Sequence, residues 1–77
     1  MNSLTIEEIE KLVLKRRWIL EELSYFEKKY CMKSSEFYNK WSKGLLPEPS
    51  DPETHGDFQV WYGLIEELYR VDKKLSI

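Results

Sequence analysis

A single cysteine, a single histidine and three scattered glycines set the first limits on this 77-residue chain. One cysteine closes no internal disulfide, so a disulfide scaffold is excluded. With only Cys31 and His55 as nitrogen or sulfur ligands, a zinc site would draw most of its ligands from carboxylates. Glycines at three separate places build no phosphate-cradling loop, and no nucleophile stands at helical spacing from a base. Neither catalysis nor a cofactor is therefore expected. No apolar run approaches the ~20 residues of a bilayer span, and no signal-peptide pattern opens the chain. The expected setting is the reducing cytoplasm with no membrane partner, and Cys31 is expected as a small buried hydrophobe or a reduced surface thiol. A net charge of −2 argues against a binder that relies on phosphate contacts.

What the chain does have is a helical pattern rich in aromatics. Apolar residues make up 42 % and aromatics 14 %, enough for one modest core in one domain spanning residues 1–77. Ordering so short a chain costs roughly 1.5 kcal/mol per residue, so burial and entropy nearly cancel and self-association or a partner becomes relevant. No stretch alternates with period two, so the expected fold is all-α: long helix, short helix, long helix. The two long helices form an antiparallel hairpin with a Pro-rich connecting loop.

The first helix is expected over residues 5–29. Thr5 and Glu8 have the spacing of a capping box, with Leu4 and Ile9 at the staple positions. At 100° per residue Ile6, Ile9, Leu12, Val13, Ile19, Leu20, Leu23, Phe26 and Tyr30 share one stripe, read as the core face. Arg16 and Glu27 interrupt that stripe, and each must find a partner or lie at its edge. Cys31 falls where a left-handed residue closes the helix. A short second helix over 34–43, capped by Lys33 or Ser34, places Phe37 and Trp41 on one face, and Leu45 and Leu46 are expected to anchor into the core. Three prolines mark a loop over 44–56. Within it Asp51-Pro52 offers one helix start and Gly56-Asp57 a second; the third helix is expected over 57–75. Its Phe58, Trp61, Leu64, Ile65, Leu68, Val71 and Leu75 share a face, and its Trp and Tyr residues are read as core.

Two features point outward. Leu14, Trp18 and Tyr25 fall within about 40° of one another opposite the core stripe, by the 100° rule. Either a protein partner covers them, or helix 2 or the loop folds over them. Charge is also uneven. Residues 1–44 carry nine Lys/Arg against seven Asp/Glu, and residues 45–77 carry three against seven. Glu48, Asp51, Glu53 and Asp57 lie within ten residues with no Lys or Arg among them. They are either a solvated loop feeding a helix start or an acidic recognition element. The run Lys15-Arg16-Arg17 is short and offset by neighbouring glutamates, so nucleic-acid binding is not expected to dominate.

The stretch from Phe26 to Trp41, Phe-Glu-Lys-Lys-Tyr-Cys-Met-Lys-Ser-Ser-Glu-Phe-Tyr-Asn-Lys-Trp, resembles the signature of small prokaryotic all-helical antitoxins of toxin–antitoxin pairs. That signature reads roughly Phe-Glu-x-Lys-Tyr-Gly-Met-x-Ser-x-Glu-Phe-Tyr, preceded by a long amphipathic helix and followed by an acidic loop and a Trp-bearing helix. The resemblance covers about residues 12–72. It departs at Cys31, where the family has Gly, and in the longer Pro-rich loop. It implies a binding protein that neutralises a cognate toxin, commonly a small nuclease, by occluding its active surface. On that reading Leu14, Trp18 and Tyr25 are apolar anchors, and Glu48, Asp51, Glu53 and Asp57 stand in for phosphates; these roles come from the residues and not from known family sites. Self-association through helix 1 is expected alongside. A homodimeric scaffold without a toxin and a small nucleic-acid-associated regulator using Lys15–Arg17 are the alternatives.

Overall fold

The computed structural model describes residues 4–76. Three helices follow one another: α1 over Ile6–Tyr30, α2 over Ser34–Ser42 and α3 over Pro52–Leu75. The expected all-α order of long, short and long helices is what the chain adopts.

The start of α1 is fixed by its cap. Thr5 Oγ1 accepts from the Glu8 amide at 3.1 Å, and the Thr5 amide donates to Glu8 Oε1 at 3.3 Å. Each side chain thus satisfies a backbone amide that the first turn leaves open. The helix stops at Cys31, whose φ of 52° is left-handed, with the Cys31 amide returning to the Glu27 carbonyl. That conformation suits glycine better, and a side chain there costs roughly 1–2 kcal/mol. Cys31 is exposed, which settles its two readings in favour of a surface thiol.

The long helices run antiparallel, as their contacts show. Arg16 meets Asp72, Phe26 meets Trp61 and Lys29 meets Asp57, so partner numbers fall as α1 numbers rise. This register leaves Ile6 and Ile9 beyond the last turn of α3, which ends at Leu75. The stripe read as core is therefore only partly covered. Ile19, Leu23 and Phe26 are buried, whereas Ile6, Ile9, Val13 and Leu20 are 76, 39, 47 and 41 % exposed. Ile6 and Ile9 overhang, and Val13 and Leu20 sit on the flank that α3 does not reach.

Aromatic rings bind α2 to the hairpin. Trp61, fully buried, lies parallel to Phe37 with ring centroids 4.0 Å apart, and Phe26 stacks at 5.7 Å. Phe58 adds an edge contact to Phe37 at 5.0 Å. Nine residues are too few to be helical alone, so α2 exists because Phe37 is clamped in this cluster.

Its first turn is capped from another helix. Lys33 is the N-cap but makes no side-chain cap bond, and Ser34 does not supply one. The Ser34 amide instead donates to Glu27 Oε2 at 2.8 Å, while Ser34 Oγ accepts from Trp61 Nε1 at 2.9 Å. The carboxylate that interrupts the stripe of α1 is thus the cap of α2, favoured by the positive end of that helix. Glu27→Ala is expected to destabilise the chain by about 1–2 kcal/mol, the range of a charged cap bond. Urea unfolding followed by circular dichroism measures it, and an unchanged midpoint would refute the cap.

The remaining differences lie around the loop. The third helix begins at Pro52 and not at Asp57, because the earlier start carries both signals: Asp51 accepts from the Thr54 amide at 2.8 Å and Pro52 occupies the first turn. Gly56 is carried inside the helix. Leu46 packs against the core, but Leu45 is exposed. On α3, Tyr62 stacks on Tyr38 at 4.7 Å, whereas Tyr69 is exposed and does not belong to the core.

Candidate protein-binding site

The outward face of α1 stays open. Leu14, Trp18 and Tyr25 are 62, 53 and 56 % exposed, and neither α2 nor the Pro-rich loop folds over them. Their openness follows from the antiparallel register: α3 uses the opposite side of α1, and α2 is drawn to the Trp61 end of the hairpin. Lys29 Nζ lies 5.8 Å from the Tyr25 ring centroid, which places a cation at one margin of the face.

A second apolar surface, missed in the sequence because it reads as core, runs along the flank of α1. Val13 and Leu20 line a shallow groove with Arg16, Arg17, Glu21, Ser24 and Leu75. Ile6 and Ile9 continue the strip toward the start of the helix. For Ile6 and Ile9 the signal that separates them from the core is the pairing of Phe26 with Trp61, which sets where α3 ends against α1; Val13 and Leu20 are separated by their position at the edge of the stripe.

The acidic loop is tied down more than its sequence suggests. Glu53 Oε2 and Asp57 Oδ2 both lie 2.7 Å from Lys29 Nζ, and the Tyr30 hydroxyl donates to the same Asp57 oxygen at 2.6 Å. Asp51 is the cap of α3, and Glu48 lies 3.3 Å from His55 Nε2. The loop thus stitches the end of α1 to the start of α3. Asp51 and Asp57 hold the fold, whereas the side chains of Glu48 and Glu53 remain 74 % exposed. Asp51 is exposed as well, and Asp57 is half-buried. Two residues of the basic run of α1 are similarly engaged: Lys15 meets Glu67 and Arg16 meets Asp72, each at 2.6 Å, while Arg17 forms no ion pair among the described residues. Arg16, on the core stripe, thereby has the partner its position demands.

These bonds shift the carboxyl groups. The Lys29 ammonium, followed by the Tyr30 hydroxyl, holds Asp57 below the ordinary carboxylate range. Amide donation from Thr54 does the same for Asp51, and Lys15 with Arg70 does so for Glu67. A carboxyl whose value is depressed on folding stabilises the chain above its unfolded value and loses that stabilisation as pH falls through the folded value. The melting temperature is therefore expected to be level near neutrality and to drop below about pH 4, where free carboxyls titrate. Asp57→Asn should lower the plateau and flatten the drop. Thermal melts between pH 2.5 and 8 check both, and an identical acid limb in the variant would count against the assignment.

Among the described residues no group of three His, Cys, Asp or Glu is placed to hold a metal ion, and no helix is long and apolar enough to cross a membrane. No family model matches the chain, and neither the curated proteins nor the solved structures contain a detectable relative.

Proposed function

We propose that this chain is a protein-binding module that acts as an antitoxin, occluding the active surface of a cognate toxin. The observation that supports this reading is the open apolar face of Leu14, Trp18 and Tyr25 on a helix whose opposite side is already used by the fold. Large aromatics surrounded by polar residues are the usual anchors of protein interfaces. Exposed Glu48 and Glu53 add negative charge of the kind that matches a basic nuclease site. Regulation through nucleic-acid contacts is weaker by comparison, because Lys15, Arg16 and Lys29 are engaged with carboxylates of α3.

The test is coexpression with the product of the neighbouring gene. A growth defect caused by that product and relieved by this chain supports the reading. A neighbour without toxicity, or a toxicity that this chain does not relieve, removes it.

A further inference from the structure

We propose that the flank strip of Ile6, Ile9, Val13 and Leu20 on α1 is a self-association surface on which a second copy of this chain docks antiparallel, with Glu10 and Arg17 exchanged as two symmetric ion pairs. The four apolar residues follow one another at intervals of three, four and seven. That is the seam of a heptad pattern whose intervening position is Arg16, held by Asp72 at 2.6 Å. All four are exposed, with Leu75 of α3 bordering Val13 and Leu20 at one side of the groove. The seam lies well apart from the face of Trp18: the 100° rule separates the centres of the two surfaces by roughly 130°.

The charge pattern selects the occupant. Glu10 and Arg17 flank the seam on the same edge, two helical turns apart, and neither forms an ion pair among the described residues. An antiparallel copy brings Glu10 near Arg17 of the second copy and Arg17 near its Glu10, so one two-fold axis satisfies both. A parallel copy turns the Glu10 and Arg17 edge toward Leu12 and Ile19 of the second helix, which offer neither charge a partner. A partner with a basic or acidic strip of one sign matches only one of the two. Residues 6–20 rise about 21 Å along the helix, which is short for a standard interface of roughly 1,600 Å². A weak, concentration-dependent association is expected from so short a contact.

Sedimentation equilibrium of the full chain, from low micromolar to several hundred micromolar, tests this. A species of twice the 9.3 kDa chain mass is expected to grow with concentration. Val13→Glu is expected to abolish it with unchanged circular dichroism, since the side chain is exposed. Glu10→Arg and Arg17→Glu should each weaken association by about tenfold, the effect of exchanging two exposed pairs for two repulsions. The double variant carrying both changes should recover most of the loss. Trp18→Ala should leave the dimer unaffected, which keeps failure here distinct from failure of the toxin-binding reading. A monomer at every concentration, or a dimer indifferent to Val13→Glu, overturns the surface. Failure of the double variant to recover overturns the antiparallel pairing.

Discussion

Trp61→Ala is expected to leave most of the chain unfolded at room temperature. The indole is fully buried, stacks on Phe37 and Phe26, and holds Ser34 through its Nε1. Removing a buried aromatic of this size costs about 3–5 kcal/mol through lost contacts and the void that remains. A domain this small has total stability of about the same size. The loss spreads beyond the cavity, because α2 is helical only while Phe37 is clamped against Trp61, and the Glu27 cap depends on Ser34 staying in place. Trp61→Phe separates the two contributions. It keeps an aromatic ring beside Phe37 but leaves the buried Ser34 hydroxyl without its donor, a deficit of about 1–3 kcal/mol. Urea unfolding monitored at 222 nm should show a folded baseline for Trp61→Phe and little or none for Trp61→Ala. A cooperative transition in Trp61→Ala at the native midpoint would mean that the cluster does not organise the fold.

The parts of this architecture that sequence reasoning reaches are those decided within one turn of helix. Thr5 with Glu8, Cys31 at the left-handed position, and Asp51 with Pro52 are local signals, and each acts where its spacing says it should. The choice between Asp51 and Asp57 as the start of α3 was not legible, because both sites carry a capping residue. Asp51 has Pro52 beside it as a second start signal, and Asp57 is engaged elsewhere, by Lys29 and Tyr30, residues 28 and 27 positions away. The cap of α2 hid for the same reason. Glu27 is seven residues from Ser34 and reads as a misplaced charge until the turn at Cys31 folds it over. Periodicity also cannot say how far along α1 its neighbour extends. Ile6, Ile9, Val13 and Leu20 fit the core stripe by angle and lie outside it: α3 ends before the level of Ile6 and Ile9, and Val13 and Leu20 fall on the flank of α1. The acidic loop shows the converse error of composition: of four carboxylates without a neighbouring Lys or Arg, Glu53 and Asp57 share Lys29 of α1 and Asp51 is used as a helix cap.

That redistribution of charge sharpens what the outward face should do in a complex. On the proposed antitoxin reading, Trp18→Ala is expected to weaken toxin binding by about 2 kcal/mol or more, roughly a 30-fold rise in Kd, the size of effect that a central aromatic anchor carries. Leu14→Ala and Tyr25→Ala should have smaller effects, as they sit further from the middle of the face. All three side chains are more than half exposed, so the variants should melt within a degree or two of the native chain. Glu48→Lys and Glu53→Lys should act differently. Charges at a rim change the rate of association and its salt dependence more than the rate of dissociation. Asp57→Lys is a poor probe of binding, because that carboxylate joins Lys29 to Tyr30 and its reversal perturbs the fold first. Surface-plasmon measurements on the purified complex separate these effects. A Trp18→Ala protein that binds with native affinity and native dissociation rate would place the toxin on some other surface, and the flank strip of α1 would be the next to test.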